Sequence, residues 1–161
     1  MVEGNGRRAE VPVSWPDGIR ERHILLLQAI LDYEDRKSVC KNLELSERSV
    51  SNLMININEE FGGDASEING VALAIVFGIQ HSFLNTENIP DIGEIKLKGR
   101  EAEILSLMVQ GLRVSSIANR LSLSSFTVKN RQNHIYKKFG VRGKYWAIAA
   151  GLKVLKKANL I

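Results

Sequence analysis

The sequence predicts an all-α fold of tandem four-helix units, and three observations predict it. No stretch alternates apolar and polar residues convincingly enough for a buried strand, whereas apolar residues recur at helical spacing along most of the chain. Residues 22–72 repeat as residues 100–150 at a spacing of 78, with twelve identities: Arg22, Leu27, Ser38, Leu43, Leu45, Ser46, Val50, Asn52, Ile57, Phe61, Gly62 and Ala72. The apolar frame repeats more persuasively, since Leu26, Leu27, Ile30, Val39 and Cys40 answer Ile104, Leu105, Met108, Ile117 and Ala118. A repeated helical frame with divergent surfaces is the simplest account. The 161 residues then divide into two units of roughly 60 residues each, near the lower limit for folding alone. Packing the copies against each other would relieve that weakness.

The elements follow in order. Residues 1–19 hold Gly4, Gly6, Pro12, Pro16 and Gly18 around Val11, Val13 and Trp15, an irregular arm that pins Trp15 onto the body. The first unit spans 20–84. A helix over Arg20–Leu31 turns Ile24, Leu27, Ile30 and Leu31 to one side, and a short one covers Arg36–Asn42. Ser46 caps a longer helix over Glu47–Phe61, and Gly62-Gly63 stops it with a positive φ. Ser66 caps the next, whose Ile68, Val71, Ile75, Ile79 and Phe83 cover more than the one stripe a small unit can bury. The excess must meet the second copy or another subunit. Residues 85–96, with Asn85, Pro90 and Gly93, read as a linker, and the second unit runs over 97–161. Its helices are Gly99–Gln110, Val114–Arg120, Ser125–Phe139 and Arg142–Lys156, with Gly111 and Gly140 as stops and Ser124 as a cap.

Charge divides the halves. Residues 1–78 carry 8 Lys/Arg and 13 Asp/Glu, net −5, and residues 79–161 carry 14 and 5, net +9. A polyanion partner is therefore expected for the second half alone. With 44% hydrophobic and 25% charged residues, the composition is that of an ordinary soluble protein. No signal peptide and no membrane-spanning run is evident, and the single Cys40 permits no internal disulfide, so a cytoplasmic or nucleoid setting is expected.

Helices of roughly eight and fifteen residues joined by a capped turn of about four make a helix-turn-helix. Here the turn is Leu121-Ser-Leu-Ser124, and Ala118 lets the two helices cross closely. The exposed side of the third helix carries Lys129, Asn130, Asn133, His134 and Lys137, with Arg131 and Lys138 at its edges. Amides and basic groups can bond base edges, and cations reach phosphates. The helix start at Ser125–Thr127 adds amide and hydroxyl donors for a backbone phosphate. Lys96, Lys98, Arg113, Arg120, Arg142 and Lys144 flank the turn. The same face of the first copy reads Ser51, Asn52, Ile55, Asn56, Glu59 and Glu60, which would repel phosphate.

Chemistry of other kinds finds no foothold. His23, His81 and His134 stand on separate elements, Cys40 occupies a core position, and there is neither a phosphate-binding glycine loop nor a zinc-spaced cluster. An enzyme is not expected, nor is a cofactor, a metal or a small-molecule ligand.

Residues Leu97–Leu152 resemble the LuxR-type helix-turn-helix domain that ends many bacterial response regulators and quorum-sensing activators. The matching text is Leu97-Lys-Gly-Arg-Glu-Ala-Glu-Ile-Leu105, Gly111-Leu112, Ile117-Ala118, Leu121, Leu123-Ser124, Thr127-Val-Lys129, Ile135 and Lys138-Phe-Gly-Val141. The first half looks like a degenerate relative. The resemblance implies that the third helix enters the major groove and that the fourth mediates dimerisation over a palindromic site. Lys129, Asn130 and Asn133 would then face bases. Ser125, Thr127, Arg131, Lys137, Lys138, Arg113 and Arg142 would hold the backbone. Lys98, Ser116 and Arg131 depart from the family's usual Thr, acidic residue and His, which alters the expected sequence preference but not the fold. No receiver or autoinducer-binding domain accompanies the match, so phosphorylation or acyl-homoserine-lactone sensing is not carried over.

The expectation is a bacterial or phage transcription regulator that binds double-stranded DNA, as a homodimer or with another regulator, its Ile68, Val71, Ile75, Ile79 and Phe83 forming the dimer or partner surface. Two other readings stay open. One is a protein-binding antagonist or co-regulator of another transcription factor. The other is a partner of RNA polymerase resembling sigma factor region four.

Overall fold

The computed structural model describes residues 14–62 and 66–159. Gly4, Gly6, Val11, Pro12 and Val13 of the arm, and Gly63 of the helix stop, lie outside the described residues. Within them run eight helices: α1 (Glu21–Asp32), α2 (Arg36–Leu43), α3 (Glu47–Phe61), α4 (Gly70–Gln80), α5 (Gly99–Val109), α6 (Val114–Leu121), α7 (Ser125–Phe139) and α8 (Lys144–Lys157). The one departure from helix and loop among them is an isolated antiparallel bridge between Ile68 and Leu112.

The starts of α1, α2 and α3 precede those of α5, α6 and α7 by 78 residues, whereas α4 precedes α8 by only 74. The first half therefore has four more residues between its third and fourth helices. Past Gly62 the spacing of 78 fails, and the identity of Ala72 with Ala150 does not mark equivalent positions. Ala72 corresponds instead to Trp146.

Those extra residues have work elsewhere. The N–H of Arg113 donates to the Glu67 carbonyl at 2.9 Å, and that of Asn69 to the Gly111 carbonyl at 2.7 Å. This short exchange with the second half holds 67–69 extended, so α4 starts later than the sequence suggests. Asn69, not Ser66, is its N-cap, its side chain accepting from the Ala72 N–H at 3.1 Å. Gly62 has φ −81, so it is not a left-handed stop. What demands glycine is space, because a Cβ there would sit 2.3 Å from the Asn58 carbonyl oxygen.

A single apolar core runs through both halves. α4 packs on α3 and α1 of its own half and on α5 and α8 of the other, and α1 packs on α8. The arrangement is reciprocal: each fourth helix lies against the first helix of the opposite half, and the two fourth helices meet. The helix pairs α2–α3 and α6–α7 sit outside this four-helix centre. Val71 and Ile75 are fully buried in it. They are therefore not an external dimer or partner surface, because α5 and α8 already cover them. Ile68 is held by its bridge to Leu112, and Ile79 packs against the core. Phe83 joins Trp15, Phe61 and Phe77 in an aromatic cluster. Of the five, Phe83 alone is exposed, at 37%.

Residues 85–96 form a strap rather than a loose spacer. Ile89 and Ile92 are buried. The Gln28 side chain pairs with the Asn85 backbone in both directions, at 2.9 and 3.3 Å. Lys153 Nζ donates to the Thr86 carbonyl at 3.1 Å, and Lys157 pairs with Asp91 at 2.8 Å. The strap thereby ties α1 to α8.

Candidate nucleic-acid interface

The turn before α7 is fixed by local chemistry. Ser122 closes α6 in the left-handed region at φ 53. The Leu123 N–H returns to the Ala118 carbonyl at 2.9 Å. Ser124 then caps α7, its hydroxyl accepting from the Thr127 N–H at 3.0 Å and bonding the Thr127 hydroxyl at 2.8 Å. Val128, Ile135 and Phe139 anchor the helix inward and Gly140 ends it at φ 66. With the inward residues so placed, Ser125, Lys129, Asn130, Asn133, His134 and Lys137 all face solvent.

Among the described residues no carboxylate pairs with the side chains of Lys129, Arg131, Lys137 or Arg142. Arg131 and Thr127 are half-buried at the margin, and Arg142 is exposed beyond the helix. The Arg142 backbone N–H donates to the Glu34 carboxylate of the first half, which fixes the chain there and leaves the guanidinium free. The surroundings of this face are basic too, with Arg120, Lys96 and Lys98 exposed.

Two of the expected backbone contacts do not join this face. Lys138 Nζ lies 2.6 Å from the carboxylate of Glu101, whose side chain is buried. That hydrogen bond holds the Glu101 carboxyl below its ordinary pKa, and the Lys98 N–H reinforces it at 3.0 Å. Lys138 is thus a clamp between α5 and α7 with its charge already neutralised. Arg113 is half-buried, and its Nε donates to the Ile68 carbonyl at 2.9 Å, so it ties the α6 start to the opposite half.

One residue of this face is missing from the sequence-based expectation. Phe126, in the first turn of α7, is 73% exposed. The signal was available, because position 126 lies off the stripe of Val128, Ile135 and Phe139 that holds the helix down.

Residues 96–150 match the family model described as "Bacterial regulatory proteins, luxR family" (GerE). This segment is a LuxR-type helix-turn-helix domain. Domains of this type bind DNA and regulate transcription and are not enzymes. The LuxR-type match covers α5, α6, α7 and the first half of α8, about a third of the chain, and does not extend to α1–α4. No curated protein and no solved structure matches the chain. Among the described residues no helix is long and apolar enough to cross a membrane, and no cluster of side chains is arranged to hold a metal ion.

Proposed function

We propose that the chain binds double-stranded DNA sequence-specifically by laying α7 in the major groove and thereby regulates transcription. Lys129, Asn130 and Asn133 face base edges, and Ser125, Thr127, Arg131, Lys137 and Arg142 hold the backbone. The observation that carries this reading is the exposed, unpaired cationic and amide side of α7. We further infer that the first half is a degenerate copy of the same unit, serving as a built-in partner. The fourth helix, which the resemblance assigns to dimerisation, is here occupied within the chain by α4 and α1. One molecule then reads one half-site, in place of a homodimer on a palindrome.

The test is duplex binding across a salt series together with the mass of the complex. Lys137→Ala should weaken binding and lower the slope of log K against log salt by about 1, the value for a single neutralised phosphate. One chain per duplex is expected. Unchanged affinity in a Lys129→Ala, Lys137→Ala double variant would remove α7 from the interface, and two chains on a palindromic site would remove the built-in partner.

A specific observation also favours a protein contact on the other side. Ile55 is 53% exposed on α3, next to the exposed Glu59 and Glu60. An acidic face with an apolar centre suits a basic protein rather than DNA.

A further inference from the structure

The reciprocal packing creates the same corner twice, and the two corners are filled differently. In the first, the α1–α2 corner receives the start of α8, and Trp146 fills it, its indole N–H donating to the Ile30 carbonyl at 2.9 Å. About 130 Å³ is left there. In the second, the α5–α6 corner receives the start of α4, where Ala72 stands in the place of Trp146. About 300 Å³ remains open.

The lining of the larger cavity is chemically one-sided. Met108, Leu112 and Ile148 make an apolar wall, and Arg113, Lys144 and Gln132 bring polar groups to it. Glu34 and Asp35 stand at the first corner beside Arg36. At the second, among the described residues, no carboxylate pairs with Arg113 or Lys144. Lys144 as a whole is exposed, yet desolvation by the surrounding protein, and then the Arg113 charge, hold its ammonium below the ordinary pKa. Arg113 uses only its Nε on Ile68, which leaves the rest of the guanidinium fork. The α6 start has no side-chain cap, so its first-turn N–H groups lack a side-chain acceptor. Gln132 is only 9% exposed, yet its amide makes no hydrogen bond among the described residues. That amide keeps access to the cavity, where a ligand can bond it.

We infer that this cavity between the two halves is a binding site for a small organic anion, a carboxylate or phosphate ester with a compact apolar body. The anionic head would lie between Arg113 and Lys144 at the α6 start and accept from the Gln132 amide, with the body on Met108, Leu112 and Ile148. The volume is at the small end of ligand sites, which suits a compact ligand.

The experiment titrates the full chain with phenyl phosphate and with inorganic phosphate at constant ionic strength, against chloride. Thermal stability and the amide resonances of Ser115, Ser116 and the Gln132 side chain are read. Phenyl phosphate should raise the melting temperature saturably and bind more tightly than inorganic phosphate, with shifts centred on those amides. Lys144→Gln, at an exposed position, should weaken binding about tenfold, the scale of one charge-assisted hydrogen bond. Ala72→Trp should abolish it by filling the space, and if that variant does not fold, Lys144→Gln decides. No saturable response to either probe would overturn the site, as would a response undiminished in Lys144→Gln. So would indifference to both probes combined with loss of duplex affinity in Lys144→Gln, which would make the cations contacts for a DNA phosphate.

Discussion

α3 and α7 are built alike and differ in their surfaces. Each has 15 residues, starts behind a serine cap and ends on a Phe-Gly pair. Val50 and Ile57 are buried as Val128 and Ile135 are. The turns agree in detail, since Glu44 and Ser122 both take left-handed φ, at 54 and 53. Outward, Ser51, Ile55 and Glu59 replace Lys129, Asn133 and Lys137. Caps and inward residues fix where such a helix lies, and they leave its outer side free to change sign. On the proposed reading, function lies in that outer side and not in the frame.

The sharpest way to break the comparison is to strike the frame in the half that lacks the match. Ile57 and Ile135 are equivalent and both wholly buried. Ile57→Ala should cost about 3 kcal/mol, within the range for truncating a buried isoleucine. Because one core joins the halves, α7 should lose structure in the same transition as α3. Thermal unfolding followed by amide resonances from both halves decides this; two separate transitions would mean two independent domains. Next in size is the surface. Reversing the charge of the α7 face, with Lys129→Glu and Lys137→Glu, should reduce duplex affinity by about 100-fold or more at moderate salt, since two attractions become repulsions. Helix content should not change, as both positions are exposed.

Most of this frame was legible in the sequence. The caps Ser46 and Ser124, the bounds of α3 and α7 and the α7 surface follow from helical spacing and serine chemistry. What was not legible depends on contacts distant along the chain. Asn69 became a cap only because 67–69 pair with 111–113. Val71 and Ile75 read as surplus apolar residues that must meet the second half or another subunit, and periodicity cannot say which; α5 and α8 cover them. Lys138 and Arg113 read as DNA contacts because a cation's partner is set by tertiary packing, and here the partners are Glu101 and the Ile68 carbonyl.

The caps offer a smaller and matched test. Ser46 accepts from the Ser49 N–H at 3.1 Å and Ser124 from the Thr127 N–H at 3.0 Å. Ser46→Ala and Ser124→Ala should each cost about 1 kcal/mol, by chemical denaturation. Only the second should also weaken duplex binding, because the proposed interface uses α7 alone. Equal losses of affinity would put α3 at the DNA.

The smallest expected effect concerns the buried titratable groups behind the two helices. In the second half Glu101 bonds Lys138, and at the equivalent positions of the first half stand His23 and Glu60. His23 is buried, its Nδ1 accepts from the Arg20 N–H at 2.9 Å, and its Nε2 has no partner. Burial, then the Arg22 charge, hold it below its ordinary value of 6.5, against an opposing pull from Glu60. The unfolded chain therefore takes up this proton first, so His23 makes stability fall as pH drops below 6.5 toward its folded value. Glu101 is held below its ordinary 4.5 by Lys138, so its contribution is present above 4.5 and is lost as pH falls through its folded value. Acid should thus lower the stability of the whole chain through His23 before Glu101 is touched. Melting temperature against pH measures it: His23→Gln should flatten the decline that begins near 6.5 and leave the decline below 4.5 intact. A variant curve parallel to the parent's through the upper window would show that His23 does not titrate with folding.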